Sequence, residues 1–408
     1  RFYNKTGINK RDFKNKTITT YICLIFILFF LFFSLYGYSI KGVQITYYLF
    51  FLIAFQSLYE ITLEIYRSSF NPKTYGYISL VKSITTVLLA LCLLLFYRQD
   101  YEVPILSLLV GFIIPLIFFG WKTFSDIKFS LFNLDELKLM FFFGVPFTLT
   151  ALVDFVINLS DRFIISRYLG YSDLGLYSLS YDITFQSLTL LMVVINLATY
   201  PHIVKSYEDH GINKATENIS DTFKIVYTIC CLILMLSFSF SNDISKLIFD
   251  GSSSELVSDI IRIISLASVC YFIRNFCFDV LFHLEKRTKF IFLNVLSGAI
   301  INVIINLLFI KDFGLVVAAY STLISFFVCM IISVYYSRKI AIIDLSINKL
   351  FISLVYIIIV ISVSNVIFSG LLIAKLLTIT VFYLPVVCYI NPLEVNKNLI
   401  NGMRNENS

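Results

Sequence analysis

Charged side chains inside long apolar segments are the residues of this sequence best suited to chemistry. Arg274 lies 10 residues from one end of the apolar segment 256–284 and 18 from the other, so it is about 15 Å from the nearer end of a helix. That helix has no acidic side chain at i±3 or i±4 from Arg274, so we expect the partner to come from another helix or from a ligand. Two interpretations of Arg274 remain equally open: it forms a structural ion pair, or it faces a polar cavity. Arg262 and Lys82 are the other candidate cavity cations.

Acidic and amide side chains form a second candidate set, for coupling or gating. Asp154 and Asn158 are one helical turn apart, with Asp161 at i+7 on the same face. Asp182 lies in the next apolar segment. We expect Asp154 and Asp182 either to take up protons or to pair with nearby cations such as Arg162.

A third cluster, Glu60, Glu64 and Arg67, has the i, i+4, i+7 spacing of one helix face. An intrahelical salt-bridge network and a cytoplasmic gate are its two interpretations. Because a cytoplasmic gate is one of these interpretations, Glu60 is included among the coupling or gating candidates.

The composition indicates the medium around these residues. The chain has 408 residues, 58% of them hydrophobic and only 14% charged, with a mean hydropathy of +0.85. A soluble domain has about a quarter charged residues, so this composition is typical of a membrane protein. The net charge of +6 fits topology and lipid contact better than nucleic-acid binding.

Metal and nucleotide chemistry lack their usual signatures. Neither an HExxH nor a GxxxxGK[ST] motif is present, and the eight cysteines lie within apolar runs. We interpret the cysteines as small buried hydrophobic residues and not as disulfides or metal ligands. The sequence therefore predicts no metal and no cofactor.

Twelve apolar runs are long enough to cross a membrane, and they predict an all-α polytopic membrane protein. Strands are excluded because an unpaired strand in lipid leaves its backbone polar groups unsatisfied. The runs are 18–38, 44–65, 75–97, 103–121, 137–159, 174–199, 222–240, 256–284, 290–309, 314–336, 350–368 and 371–390.

Orientation follows from the short loops. With the N-terminus inside, the inner segments carry 20 Lys and Arg residues and the outer loops carry 6. Because positive loops stay cytoplasmic, both termini are predicted to be cytoplasmic.

A shift of about 214 residues lays the first four runs on the seventh to tenth and places Glu60 opposite Arg274. This repeat predicts two pseudo-symmetric helix bundles. Residues 1–130 would be the remnant of the first, with four spans, and 131–340 the second, with six. Residues 341–408 would add two spans and a cytoplasmic tail. Because the fifth and sixth runs have no counterparts before Arg1, we expect two further helices to precede this chain.

The stretch FGVPFTLTALVDFVINLSDRFIISRYLGYSDLGLYSLSY, 143–181, resembles the polysaccharide flippases. These are the O-antigen and capsule exporters of the multidrug/oligosaccharidyl-lipid/polysaccharide superfamily. A second resemblance lies in 286–325, where Asn302 and Asn306 precede Gly314 and the pair Ala318 and Ala319. The two asparagines favour bonding across a helix interface, and the small residues favour close packing.

The resemblance implies a flippase in the bacterial plasma membrane that moves an undecaprenyl-pyrophosphate-linked oligosaccharide to the outer leaflet. It implies as partners the lipid-linked oligosaccharide, membrane lipids and, further, a polysaccharide polymerase and glycosyltransferases. Arg274, Arg262 and Lys82 would offset the pyrophosphate charge. The family often has a basic residue near the position of Asp182, so direct anion binding there is in doubt.

Two other functions fit less well. A drug/cation antiporter of the same superfamily would use acidic cavity residues such as Asp154 and Asp182. A membrane-embedded polysaccharide polymerase would need a sizeable outer loop, whereas the outer loops here have about fifteen residues or fewer.

Overall fold

The structure is a computed structural model. It describes residues 10–36, 43–68, 72–96, 102–120, 132–249, 253–287, 289–345, 347–367 and 372–390.

Twelve helices make up nearly all of the described residues, and each coincides with one predicted apolar run. They are α1 (Lys10–Tyr36), α2 (Val43–Ser68), α3 (Pro72–Phe96), α4 (Glu102–Pro115, continued by a π-helical turn at Leu116–Gly120), α5 (Leu134–Tyr168), α6 (Tyr171–His210), α7 (Ile212–Ile248), α8 (Ser253–Ile273, continued by a π-helical turn at Arg274–Phe278 and by Asp279–Leu284), α9 (Lys289–Phe313), α10 (Val316–Ser337), α11 (Ile347–Ile367) and α12 (Leu372–Ile390). The predicted all-α architecture is therefore confirmed.

Length and composition agree with a membrane protein. Eight helical segments of the described residues are long and apolar enough to cross a bilayer. The helices α6 and α7 have 40 and 37 residues, more than a bilayer needs, because polar residues continue them beyond their apolar runs. The chain is a multi-pass membrane protein.

The chain divides into two compact units, residues 1–143 and 144–408. The division predicted from the repeat, 1–130, 131–340 and 341–408, stays a prediction. In the first unit, Tyr59, Leu63, Ile78 and Phe112 form a small buried core between α2, α3 and α4. An ion pair of 2.9 Å joins Lys16 of α1 to Glu136 at the start of α5.

Close packing of α3 on α4 depends on Gly111. A Cβ atom at this position would lie 1.9 Å from the Thr86 hydroxyl oxygen, which donates a hydrogen bond to the Lys82 carbonyl at 2.8 Å. We expect Gly111→Ala to lower stability by about 1–3 kcal/mol because the helices must separate. The unfolding midpoint of the purified protein in detergent measures this effect.

Two variants control that prediction. A Cβ at Gly76, in α3, meets no atom within 4 Å, so Gly76→Ala should leave the midpoint unchanged or raise it slightly. Adding Thr86→Ala to Gly111→Ala removes the clashing oxygen and should recover most of the loss. An equal loss in the double variant would contradict the proposed clash.

Two large apolar cores lie in the second unit. One joins α5, α6, α8, α9 and α10 and includes Tyr181, Phe185 and Phe326. The other joins α7 and α8 to α11 and α12, with Met235 and Phe272 among its buried residues.

Helices α11 and α12 are attached to α7 by hydrogen bonds as well as by apolar packing. The Tyr227 hydroxyl donates to the Leu350 carbonyl at 2.9 Å. The Tyr383 hydroxyl donates to the Thr228 carbonyl at 3.0 Å. These bonds satisfy polar groups that lipid would leave unpaired.

Gly170 and Gly314 occupy the turns between α5 and α6 and between α9 and α10. Their φ angles are 102° and 72°, in the region that a residue with a Cβ rarely adopts. The turns let consecutive helices reverse direction within a few residues. These turns explain one glycine in each of the two sequence resemblances.

The eight cysteines are free thiols. Four are buried, as predicted: Cys230, Cys231, Cys277 and Cys329. Cys92 and Cys388 are exposed instead, because they lie on outward faces of α3 and α12, where an apolar thiol can contact lipid.

Candidate functional site

A buried carboxylate, Asp161 of α5, lies at the centre of a polar cluster between α5, α6, α9 and α10. Its side chain is 1% exposed. Oδ1 accepts a hydrogen bond from Asn306 Nδ2 at 2.6 Å. Oδ2 accepts hydrogen bonds from the hydroxyls of Tyr177 and Thr322, both at 2.8 Å. Three uncharged donors from three other helices therefore converge on one carboxyl group.

A second ring of contacts surrounds Asp161 and fixes the asparagines. Asn302 Oδ1 accepts from the Ser160 hydroxyl at 2.8 Å, and Asn306 Nδ2 also lies 2.8 Å from Ser321 Oγ. Ser321 in turn donates to the Ala318 carbonyl at 2.9 Å. Ala318 and Ala319 are fully buried, which lets α9 and α10 approach closely. The interhelical role predicted for Asn302 and Asn306 is confirmed.

The chemistry of this Asp161 cluster suits a proton or a small monovalent cation. A buried ionised carboxylate is costly without a countercharge, and the neighbouring Arg162 directs Nη2 to Asp182 instead. The carboxyl group can hold a proton. Its oxygens, with the nearby hydroxyls and the Ala318 carbonyl, are also the hard ligands that alkali cations prefer.

Sequence reasoning did not choose Asp161 as a site residue. Two sequence features could have indicated Asp161. It shares a helix face with Asp154 and Asn158, and polar pairs occur in later helices at Asn302 with Asn306 and at Ser321 with Thr322. Only the fold brings the carboxylate to these residues, which lie more than 140 positions away in the sequence.

Arg274 forms a second buried centre, and the structure corrects the expectation about its partner. Its side chain is 3% exposed, and Nε lies 3.2 Å from Oδ2 of Asp279, which is 1% exposed. Asp279 lies on the same helix at i+5. The π-helical turn at Arg274–Phe278 brings i and i+5 to one face, so Asp279 is a partner that ideal α-helical spacing at i±3 and i±4 does not predict.

Two further contacts hold the pair. The Arg274 guanidinium lies 5.1 Å from the centre of the Tyr271 ring. The Ser333 hydroxyl of α10 donates to Asp279 Oδ1. This buried charged pair on α8 is therefore also held by α10, and its role in transport stays a prediction.

Asp182 forms an ion pair with Arg162, with 2.7 Å between Oδ1 and Nη2. The two side chains are 43% and 27% exposed, so solvent weakens the attraction. Of the two interpretations of Asp182, the structure shows the pairing with Arg162. Its coupling role stays a prediction.

The remaining candidate cations, Arg262 and Lys82, each have their own contacts. Arg262 is on the same helix but 12 residues earlier, about 18 Å along the axis, and its Nε donates to the Ser241 hydroxyl at 2.8 Å. Its Nη1 pairs with Asp259 at 3.2 Å. Lys82 belongs to the first unit, where Nζ lies 5.1 Å from the centre of the Phe112 ring.

The other coupling candidates are only partly described. Glu60 of α2 has an exposed side chain, and Glu64 pairs with Arg67 at 3.1 Å, one bond of the intrahelical network. Asp154 and Asn158 are in α5, but their side chains lie outside the described residues.

Comparison with known proteins places the sequence in a family. The profile of a family described as "Polysaccharide biosynthesis protein" matches residues 13–258. A Shigella flexneri protein whose name proposes O-antigen transport is 22% identical over 185 residues, which cover 44% of this chain and 43% of that protein. The chain thus matches less than half the length of this relative.

Solved structures show the same fold. A lipid II flippase, MurJ, in an inward closed conformation has a TM-score of 0.73 at 16% identity and covers 96% of this chain and 86% of its own. A multidrug resistance MATE family transporter in an outward-facing conformation has a TM-score of 0.64 at 13% identity. The match covers 81% of this chain and 78% of the transporter. Since the family profile covers more than half of the chain, this membrane protein belongs to the polysaccharide biosynthesis protein family, as the resemblance implied.

Proposed function

We propose that this protein is a flippase that moves an undecaprenyl-pyrophosphate-linked oligosaccharide from the cytoplasmic to the outer leaflet. The observation that carries the proposal is the family match over residues 13–258. The fold of a lipid II flippase over 96% of the chain supports it. Lipid II is a lipid-linked glycan, so the two substrates share a class.

The location and partners follow from the same proposal. The protein works in the bacterial plasma membrane with both termini in the cytoplasm, as the excess of Lys and Arg in the inner segments supports. Its direct partners are the lipid-linked oligosaccharide and membrane lipids. A polysaccharide polymerase and glycosyltransferases act after and before it.

Energy comes from an ion gradient, and Asp161 couples it. The cluster holds a carboxyl group with uncharged donors only, so gain or loss of one proton or cation changes its charge balance. The cluster joins four helices, so this change can shift their packing. Arg274, with Arg262 and Lys82, offsets the pyrophosphate, while Asp154, Asn158, Asp182 and Glu60 remain further coupling or gating candidates.

Deletion of the gene in its own host tests the proposal. We expect lipid-linked oligosaccharide to accumulate on the cytoplasmic face and surface polysaccharide to fall to background, with both restored when the gene is supplied on a plasmid. Extracted lipid-linked sugars and a surface polysaccharide blot measure the two effects. Normal surface polysaccharide in the deletion strain would contradict the proposal.

A drug/cation antiporter is the second candidate, because the buried Asp161 suits cation exchange and the fold matches a multidrug transporter. The same deletion strain separates the two. An antiporter predicts increased sensitivity to cationic drugs with unchanged surface polysaccharide, whereas a flippase predicts the reverse.

A further inference from the structure

A cavity of about 810 Å³ lies in the second unit beneath the link between α10 and α11. This volume is within the range of small-molecule sites. Its lining includes Phe278, from the π-helical turn of α8, and Lys349, from the first turn of α11. The cavity lies at the end of α10, about 22 Å along that helix from Thr322 of the Asp161 cluster, and its lining contains neither Asp161 nor Arg274.

The backbone that forms the cavity is fixed and not a loose loop. After α10 ends at Ser337, residues 341–345 form an irregular segment in which buried or partly buried side chains alternate with the exposed Ile342 and Asp344. Ile343 is 9% exposed and packs into the core. The Ser220 hydroxyl of α7 donates to the Asp344 carbonyl at 2.6 Å. The cavity is therefore a built feature of the fold.

Its lining is apolar on one side and cationic at the rim. Ala341, Ile343 and Leu345 belong to the core cluster or pack on it, whereas Arg338 and Lys349 are exposed. Both cations lie in the segment predicted to face the cytoplasm. Asp344 also lines the cavity, so the lining has two cations and one carboxylate.

A large apolar side chain next to the rim is exposed. Ile342 is 82% exposed and lines the same cavity. An isoleucine beside two cations at the end of membrane helices matches the boundary between acyl chains and headgroups. Basic pockets between helices on the cytoplasmic side bind acidic headgroups.

We propose that this cavity binds one acidic glycerophospholipid of the cytoplasmic leaflet, such as phosphatidylglycerol. Arg338 and Lys349 hold the phosphate, the wall of Phe278 and Leu345 contacts the glycerol and upper acyl carbons, and Ile342 packs against a chain. One negative lipid balances the net charge of the lining. The ligand is a resident lipid and is distinct from the transported oligosaccharide.

Lipid titration of the purified, delipidated full chain tests this proposal, with native mass spectrometry as the readout. Phosphatidylglycerol should bind more tightly than phosphatidylethanolamine. The double variant Arg338→Gln with Lys349→Gln should lose about tenfold or more of the phosphatidylglycerol affinity. Lys311→Gln is the matched control, because Lys311 lies near the start of α10, whereas the cavity lies at the other end of that helix; its Nζ lies 4.6 Å from the centre of the Tyr168 ring.

Asp344→Asn should change the lipid affinity in the opposite direction, and it separates an effect of charge from an effect on folding. It removes the only carboxylate of the cavity lining within the described residues and keeps the backbone carbonyl that Ser220 binds. Affinity for phosphatidylglycerol should rise while the unfolding midpoint stays the same. A purely structural role of the segment would not produce opposite shifts in lipid affinity.

Three results would overturn the proposal. These are unchanged phosphatidylglycerol affinity in the double variant, equal or tighter binding of phosphatidylethanolamine, and full displacement of the lipid by millimolar inorganic phosphate. The last result would identify a site for free phosphate and not for a lipid.

Discussion

Replacing Asp161 with asparagine should reduce export of the lipid-linked oligosaccharide to below about one tenth of the wild-type rate while the protein still folds. Asparagine has nearly the same shape, so its Oδ1 can accept from Asn306. Its Nδ2 can donate to the hydroxyl oxygens of Tyr177 and Thr322, because a hydroxyl both donates and accepts. The variant therefore keeps the contacts but cannot ionise.

Asp161→Ala should behave differently. It leaves buried donors without an acceptor, each at a cost of about 1–3 kcal/mol, so both stability and export should fall. Export is measured as surface polysaccharide per membrane-inserted protein, and stability as the unfolding midpoint in detergent.

The controls for this prediction use other carboxylates. Asp312→Asn changes an exposed residue at the end of α9 and should leave export unchanged. Asp182→Asn removes the exposed pair with Arg162, which is worth about 1 kcal/mol or less. If Asp182→Asn abolishes export and Asp161→Asn does not, Asp182 is the coupling carboxylate, as the sequence suggested, and the role assigned to Asp161 is wrong.

Replacing Arg274 with alanine should destabilise the second unit by about 3–5 kcal/mol, because it leaves the buried Asp279 without its cation. Asp279→Asn should also be destabilising, since it strands the buried guanidinium, although it keeps an acceptor for Ser333. The membrane-inserted fraction and the unfolding midpoint measure both losses.

The double variant Arg274→Met with Asp279→Asn decides between the two interpretations of Arg274. It removes both charges and keeps an apolar side chain of similar length, so most of the stability should return. We expect export to remain lost, because the cation that offsets the pyrophosphate is missing. Wild-type export in the double variant would show that the pair is only structural and that Arg274 takes no part in binding.

Local sequence features were sufficient to predict the helices. Each apolar run was long enough to span a bilayer, and in lipid a single segment can satisfy its backbone only as a helix. The run 256–284 therefore predicted α8 within three residues. The spacing of Asn302 and Asn306 likewise predicted an interface, because i and i+4 share one helix face whatever the fold.

The two buried centres needed more than local sequence. The run of α8 gave no sign of a π-helical turn, and that single turn changes the partner of Arg274 from another helix to Asp279. A candidate list built on ideal helix spacing fails at such turns, since one extra residue rotates every later side chain by about 100°.

The sequence by itself determined that this is an all-α membrane protein, with twelve helices in the part of the chain that the structure describes, because hydropathy and backbone hydrogen bonding act within one segment. Only the tertiary structure decided which charges are buried and what they contact. Asp161 accepts a hydrogen bond from Thr322, 161 residues away in the sequence. Arg162 forms an ion pair with Asp182 and not with the adjacent Asp161. Such contacts depend on how helices pack, and that packing is set by many side chains at once and not by the spacing within any one helix.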